Sequence, residues 1–162
     1  MILDRYSPPG YNHQREKNIF VALLLLSCFI SLGFIAEYVH EINSLYYYDG
    51  GRRLLKEGAV VKNFAGICRG YMYCFSVAAI TVLCFSAIRY MYLFGESKSI
   101  YTAKRLPKKL PVFSIIAPIP ATYAVLLIAV KCALLCIYAI IYVNFTPEQC
   151  LPVNMWQGIW RL

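Results

Sequence analysis

The stretch IFVALLLLSCFISLGFIAEYV, Ile19 to Val39, decides the fold, because its 21 residues carry one charge, Glu37. A helix rises ~1.5 Å per residue, so a run of this length crosses the roughly 30 Å hydrocarbon core of a bilayer. Two further runs repeat the pattern. YMYCFSVAAITVLCFSAI (Tyr71–Ile88) holds no charge, and YAVLLIAVKCALLCIYAIIYVNF (Tyr123–Phe145) holds only Lys131. None alternates polar and apolar residues with period two, which argues against a β-barrel. The whole chain is 60% hydrophobic and 15% charged, whereas soluble domains lie near about 45–50% and 25%. These patterns predict an all-α integral membrane protein with three transmembrane helices and short interfacial helices. The spans fall roughly at 19–39, 71–94 and 120–145 of a single membrane domain over 1–162.

The first run resembles a secretory signal only superficially. Leu25-Leu26-Ser27-Cys28 looks like a lipoprotein cleavage box, yet FISLGFIAEYV stays apolar beyond it. A cleaved apolar region is about 7–15 residues long and ends at the cut. An uncleaved anchor is the expectation.

Basic residues in short loops set orientation. With the N-terminus inside, Arg5, Arg15 and Lys17 join five bases of the loop over 95–110: Lys98, Lys104, Arg105, Lys108 and Lys109. Outside lie Arg52, Arg53, Lys56, Lys62 and Arg69, diluted by Glu41, Asp49 and Glu57, with Arg161 in the tail. The expectation is a multi-pass cell-membrane protein with its N-terminus cytoplasmic, its loop 95–110 cytoplasmic and its C-terminus outside.

Asp49-Gly50-Gly51 signals a turn, and Tyr46, Tyr47 and Tyr48 suit the headgroup zone. Beyond them RRLLKEGAVVKNF mixes bases with Leu54, Leu55, Val60, Val61 and Phe64, which predicts a short amphipathic interfacial segment weakened by Gly58. Pro111, Pro118 and Pro120 forbid one helix from Leu110 to Phe145. They predict a short interfacial helix, a break at Ala117–Pro120, and then the third span.

Ionisable residues in or beside spans are functional candidates. Glu37 and Arg89 lie near span ends, where their side chains snorkel to the interface. Lys131, the ninth residue of its run, sits roughly 12 Å deep. It is the candidate for a charge facing the bundle interior or a partner subunit. Of the seven cysteines, Cys132 and Cys136 share a helix face, with buried thiols favoured over a soft-metal site. Spacings for zinc are absent, no cofactor is implied, and thiols within spans argue against a disulfide scaffold.

P-loop, HExxH, GxSxG and GxGxxG motifs are all missing, and Asp4 and Asp49 are the only aspartates. An enzyme is therefore not expected. Asn144-Phe145-Thr146 fits a glycosylation sequon but abuts a span end, and it is discounted. A net charge of +8 is read against anionic headgroups rather than nucleic acid.

After the second span, Ser97, Lys98, Ser99, Tyr101, Arg105, Leu106 and Pro107 follow the order S-K-S-x-Y-x-x-x-R-L-P. A tail with Pro147, Cys150, Leu151, Pro152, Asn154 and Trp156 follows the third. Over roughly residues 15–162 this resembles the permease subunits of bacterial ABC-2-type ABC transporters. The resemblance implies a non-catalytic subunit that couples a separate ATPase to substrate movement. Its ATPase-contact loop would use Lys98, Ser99, Tyr101, Lys104, Arg105, Leu106 and Lys109. Further membrane subunits or a homo-oligomer are implied, since permeases of that family usually have twice as many spans. The alternative is a small membrane scaffold or regulatory protein that binds anionic lipid and has no transport role.

Overall fold

The computed structural model describes residues 13–56, 58–95 and 117–159. Among these described residues the structure is mostly helical (76%). Three of its helices are long and apolar enough to span a membrane: Gln14–Ser44, Phe64–Met91 and Pro118–Phe145. The loop over 95–110, apart from Gly95, lies outside the described residues, as does the interfacial helix expected before Ala117.

The first helical run exceeds the expected 19–39 at both ends and contains a joint. Helix α1 (His13–Ser31) passes into α2 (Gly33–Ser44) through Leu32 alone. There the backbone tightens to three-residue spacing, with Leu32 N–H donating to Phe29 O at 3.2 Å and Ile35 N–H to Leu32 O at 3.0 Å. The Ser31 hydroxyl donates back to Cys28 O at 2.7 Å, a bond that bends helices. Gly33 sits next in the chain because a Cβ there would overlap the Tyr71 ring.

The expected interfacial segment is instead a β-hairpin, which corrects the all-α expectation. Strands β1 (Tyr46–Asp49) and β2 (Arg52–Leu55) pair antiparallel, Tyr46 opposite Leu55 and Asp49 opposite Arg52. Gly50 and Gly51 both have positive φ, 52° and 82°, the requirement of the two-residue hairpin turn that matches strand twist. Three consecutive tyrosines before this turn favour a strand, and their pairing overrides the amphipathic reading of Arg52–Leu55.

Helix α3 (Phe64–Gly95) begins well before the expected 71, and α4 spans Pro118–Phe145. Pro118 and Pro120 sit in the first turn of α4, where N–H groups lack helical acceptors anyway. The helix thus starts where the prolines place a break. A 3-10 turn, Glu148–Cys150, comes after α4.

The chain divides into two compact units. One comprises α1 up to Leu26, α3 from Phe75 and α4 up to Ala129. Its core includes Phe20, Phe75, Ala78, Ala79, Val82, Phe85, Ala124 and Leu127, and the Phe20 and Tyr123 rings stack at 4.3 Å. The other comprises Ser27–Cys74 and the chain from Val130, with Phe34, Tyr38, Phe64, Cys68, Met72, Tyr138 and Tyr142 inside.

Outside these cores the helices remain apolar. Leu25, Phe29, Val77, Ile80, Val125 and Ile140 are all exposed, and only 17–33% of each span's most apolar window is buried. Exposed apolar surface on this scale is compatible with a multi-pass membrane protein.

Candidate functional site

In the first unit the buried stripe of α3 ends on a charge. Phe75, Ala78, Val82 and Phe85 recur at helical spacing, and Arg89 continues that stripe four residues on. It is fully buried, not snorkelled to an interface as its position near a span end suggested. The physical reason is Glu16, in the first turn of α1 and itself buried. Arg89 Nε donates to both Glu16 carboxylate oxygens, at 2.9 and 3.1 Å, and Nη2 donates to Oε2. The planar guanidinium fork satisfies a carboxylate with several bonds at once, which lets both charges leave solvent.

Sequence reasoning passed over Glu16, which it left within a polar N-terminal tail. A signal was available: Glu16 lies four residues before buried Phe20, on the same face of α1.

In the second unit the site is aromatic. Phe34 stacks on Tyr138 at 4.4 Å and lies 5.8 Å from Tyr38, while Phe64 meets Tyr142 and Trp156 edge-on, each at 5.7 Å. Edge-to-face and offset contacts at these distances suit the ring quadrupoles. Every hydroxyl in this cluster is satisfied. Tyr138 donates to Ser31 O at 3.1 Å, Tyr142 donates to Lys62 O at 2.9 Å, and Tyr38 OH lies 3.0 Å from Thr146 Oγ1. Thr146, the last residue of the discounted sequon, is therefore buried and engaged.

Around this unit run polar ties. Lys62 pairs with Glu41 and lies 3.9 Å from Glu37, so Glu37 faces a lysine at a span end. The hydrogen bond to Glu41, then its charge, holds the Lys62 ammonium above the usual lysine range. Lys56 Nζ donates to Ser44 O at 2.8 Å, closing the hairpin base, and Val61 N–H donates to Cys150 O at 3.0 Å.

Of the residues singled out from sequence, Lys98, Ser99, Tyr101, Lys104, Arg105, Leu106 and Lys109 lie outside the described residues. Lys131 is half-buried in α4. Cys132 and Cys136 are exposed, not buried as expected, because the face of α4 they share points away from the core. All seven cysteines are free thiols. Among the described residues no three His, Cys, Asp or Glu side chains gather as a metal site.

No family model matches this chain, and neither the curated proteins nor the solved structures contain a match.

Proposed function

We propose that this chain is a multi-pass protein of the bacterial cell membrane, N-terminus cytoplasmic and C-terminus outside, and the non-catalytic transmembrane subunit of an ABC-type transporter. The observation that carries this reading is the loop motif in its setting. Ser97, Lys98, Ser99, Tyr101, Arg105, Leu106 and Pro107 come directly after a 32-residue apolar helix, α3. Two turns before that helix ends, Arg89 is fixed to α1 by a buried charge pair. Force applied to the loop thus meets a braced helix end rather than a frayed one.

In this reading Lys104, Arg105 and Lys109 meet acidic groups on a separate ATPase, while Tyr101 and Leu106 give apolar anchorage. The ATPase supplies nucleotide chemistry, and this chain supplies helices that move. Further membrane subunits, or more copies of this chain, complete the pathway.

Affinity purification in mild detergent from the native cell tests the proposal. Recovery of an ATPase subunit with the unaltered chain, and its loss on charge reversal at Lys104 and Arg105, is the expected result. Unchanged recovery after charge reversal overturns the docking role. Recovery of a homo-oligomer alone replaces the transporter reading with a membrane scaffold that binds anionic lipid.

A further inference from the structure

The tail after α4 is shaped by residues that stop regular structure. Pro147 has no N–H with which to continue the helix. The chain leaves it through the single 3-10 turn Glu148–Cys150, with Cys150 N–H donating to Pro147 O at 2.9 Å. Leu151, ahead of Pro152, is extended at φ −71° and ψ 129°, the conformation a following proline favours. Two tight turns come next, Gln157 N–H donating to Asn154 O and Ile159 N–H to Trp156 O. Gly158 takes a φ of 87°, in the left-handed region open to glycine.

This tail meets the rest of its unit at two places. Val61 N–H donates to Cys150 O at 3.0 Å. Further on, the Trp156 ring meets Phe64 edge-on at 5.7 Å, and Gly158 lies against Ala65. Between the two places the chain stands away from the core, with Val153 99% exposed. Across residues 147–159 only Cys150 is buried, and Trp156 remains 44% exposed. A segment with few buried groups and exposed backbone bonds opens at a lower cost than the core it covers. The surface beneath is of the opposite kind, since Phe64 and Ala65 are both buried in the first turn of α3.

We infer that residues 147–159 form a latch, which opens as one piece while the helices stay folded and which ties the first turn of α3 to the end of α4 when closed. Opening breaks the Val61–Cys150 bond and uncovers Phe64. It leaves the Tyr142–Lys62 and Tyr38–Thr146 bonds in place, because Tyr142 and Thr146 come before the latch begins. The aromatic core therefore survives an opening that frees the tail. The latch stands whether or not the chain serves a transporter. In a subunit whose helices move, it is the tie that yields first.

The chain's own cysteines read the opening. Cys150 in the latch and Cys68 in α3 are both buried, 1% and 0% exposed. The full chain in mild detergent is exposed to N-ethylmaleimide, and labelling of each thiol is followed by mass spectrometry. Each rate is referred to that of the same thiol in the denaturant-unfolded chain. Cys150 is expected to lose protection well before Cys68. Trp156→Ala removes one edge-on ring pair and is expected to speed Cys150 labelling roughly fivefold. Gly158→Ala forces a side chain into left-handed backbone and is expected to act by a similar factor. Neither variant changes the rate at Cys68. Equal protection of the two thiols, or rates that rise together in the variants, shows a tail that opens only with the whole unit and overturns the inference. A Cys150 rate that neither variant alters also overturns it, because Trp156 and Gly158 then do not hold the tail closed.

Discussion

Arg89 holds Glu16 through both Nε and Nη2, with the arginine side chain 0% exposed and the glutamate 5%. An ion pair removed from water is a poor source of net stability, because desolvation offsets its attraction, but it tolerates no one-sided change. Arg89→Met leaves a buried carboxylate, and Glu16→Gln leaves a buried guanidinium. Each is expected to cost about 3–5 kcal/mol. The double variant Glu16→Leu/Arg89→Met removes both charges and is expected to regain most of that loss. Thermal unfolding of the four proteins in one detergent checks this, and additive losses contradict it.

Gly33 and Tyr71 make a second coupled pair. Any Cβ at Gly33 overlaps the Tyr71 ring, and the ring belongs to a packed helix rather than to a free surface. Gly33→Val is therefore expected to destabilise by about 1–3 kcal/mol, the usual cost of overpacking. Tyr71→Ala made in the same chain clears the space, so the double variant is expected to lose less than the two single losses combined. A double-mutant cycle by denaturation in detergent measures the coupling, and zero coupling rejects the contact.

The legible and illegible parts of this molecule separate on physical grounds. Span-forming helices were legible because twenty apolar residues in a row have few other solutions. The start of α4 was legible because Pro118 and Pro120 are compatible only with a first turn. The hairpin was half legible: Asp49-Gly50-Gly51 announced its turn, but Leu54 and Leu55 fit an amphipathic segment equally well until strand pairing is known. The Glu16–Arg89 pair was not read, since its partners lie 73 residues apart and a charge near a span end usually reaches water. The continuation of the stripe Phe75–Val82–Phe85 through Arg89, and the four-residue step from Glu16 to Phe20, marked the two charges as inward-facing. Just ahead of the early start of α3, Lys62 O accepts from the Tyr142 hydroxyl, and no local pattern encodes that partner 80 residues away.

Tyr38 and Thr146 test the aromatic unit. Their hydroxyls lie 3.0 Å apart, and both residues are buried. Removing one hydroxyl leaves the other without that bond, at an expected cost of about 1–3 kcal/mol for Tyr38→Phe or for Thr146→Val. Replacing both removes the stranded group, so Tyr38→Phe/Thr146→Val is expected to lie close to the wild type. Thermal midpoints of the three variants check this. A double variant worse than either single one shows that the hydroxyls serve separate partners.

Lys62 supplies the pH dependence. Its bond to Glu41 and that acid's charge raise the lysine above its ordinary value of 10.5. A group raised on folding contributes fully below its unfolded value and loses the contribution as pH climbs through the folded one. The tie from Lys62 to α2 is therefore expected to be constant through neutral pH and to fade only above 10.5. Lys62 is largely exposed, so solvent screening keeps the effect small, and a difference measurement is needed. Any other alkaline titration is common to wild type and Lys62→Met and cancels in the difference. The gap in thermal midpoint between wild type and Lys62→Met is thus expected to hold from neutral pH upward and to close in strong alkali. Raised salt narrows that gap at neutral pH, as it does for any exposed ion pair. A gap that instead persists unchanged into strong alkali assigns the effect to the lysine's methylene packing and rejects the charge-pair account.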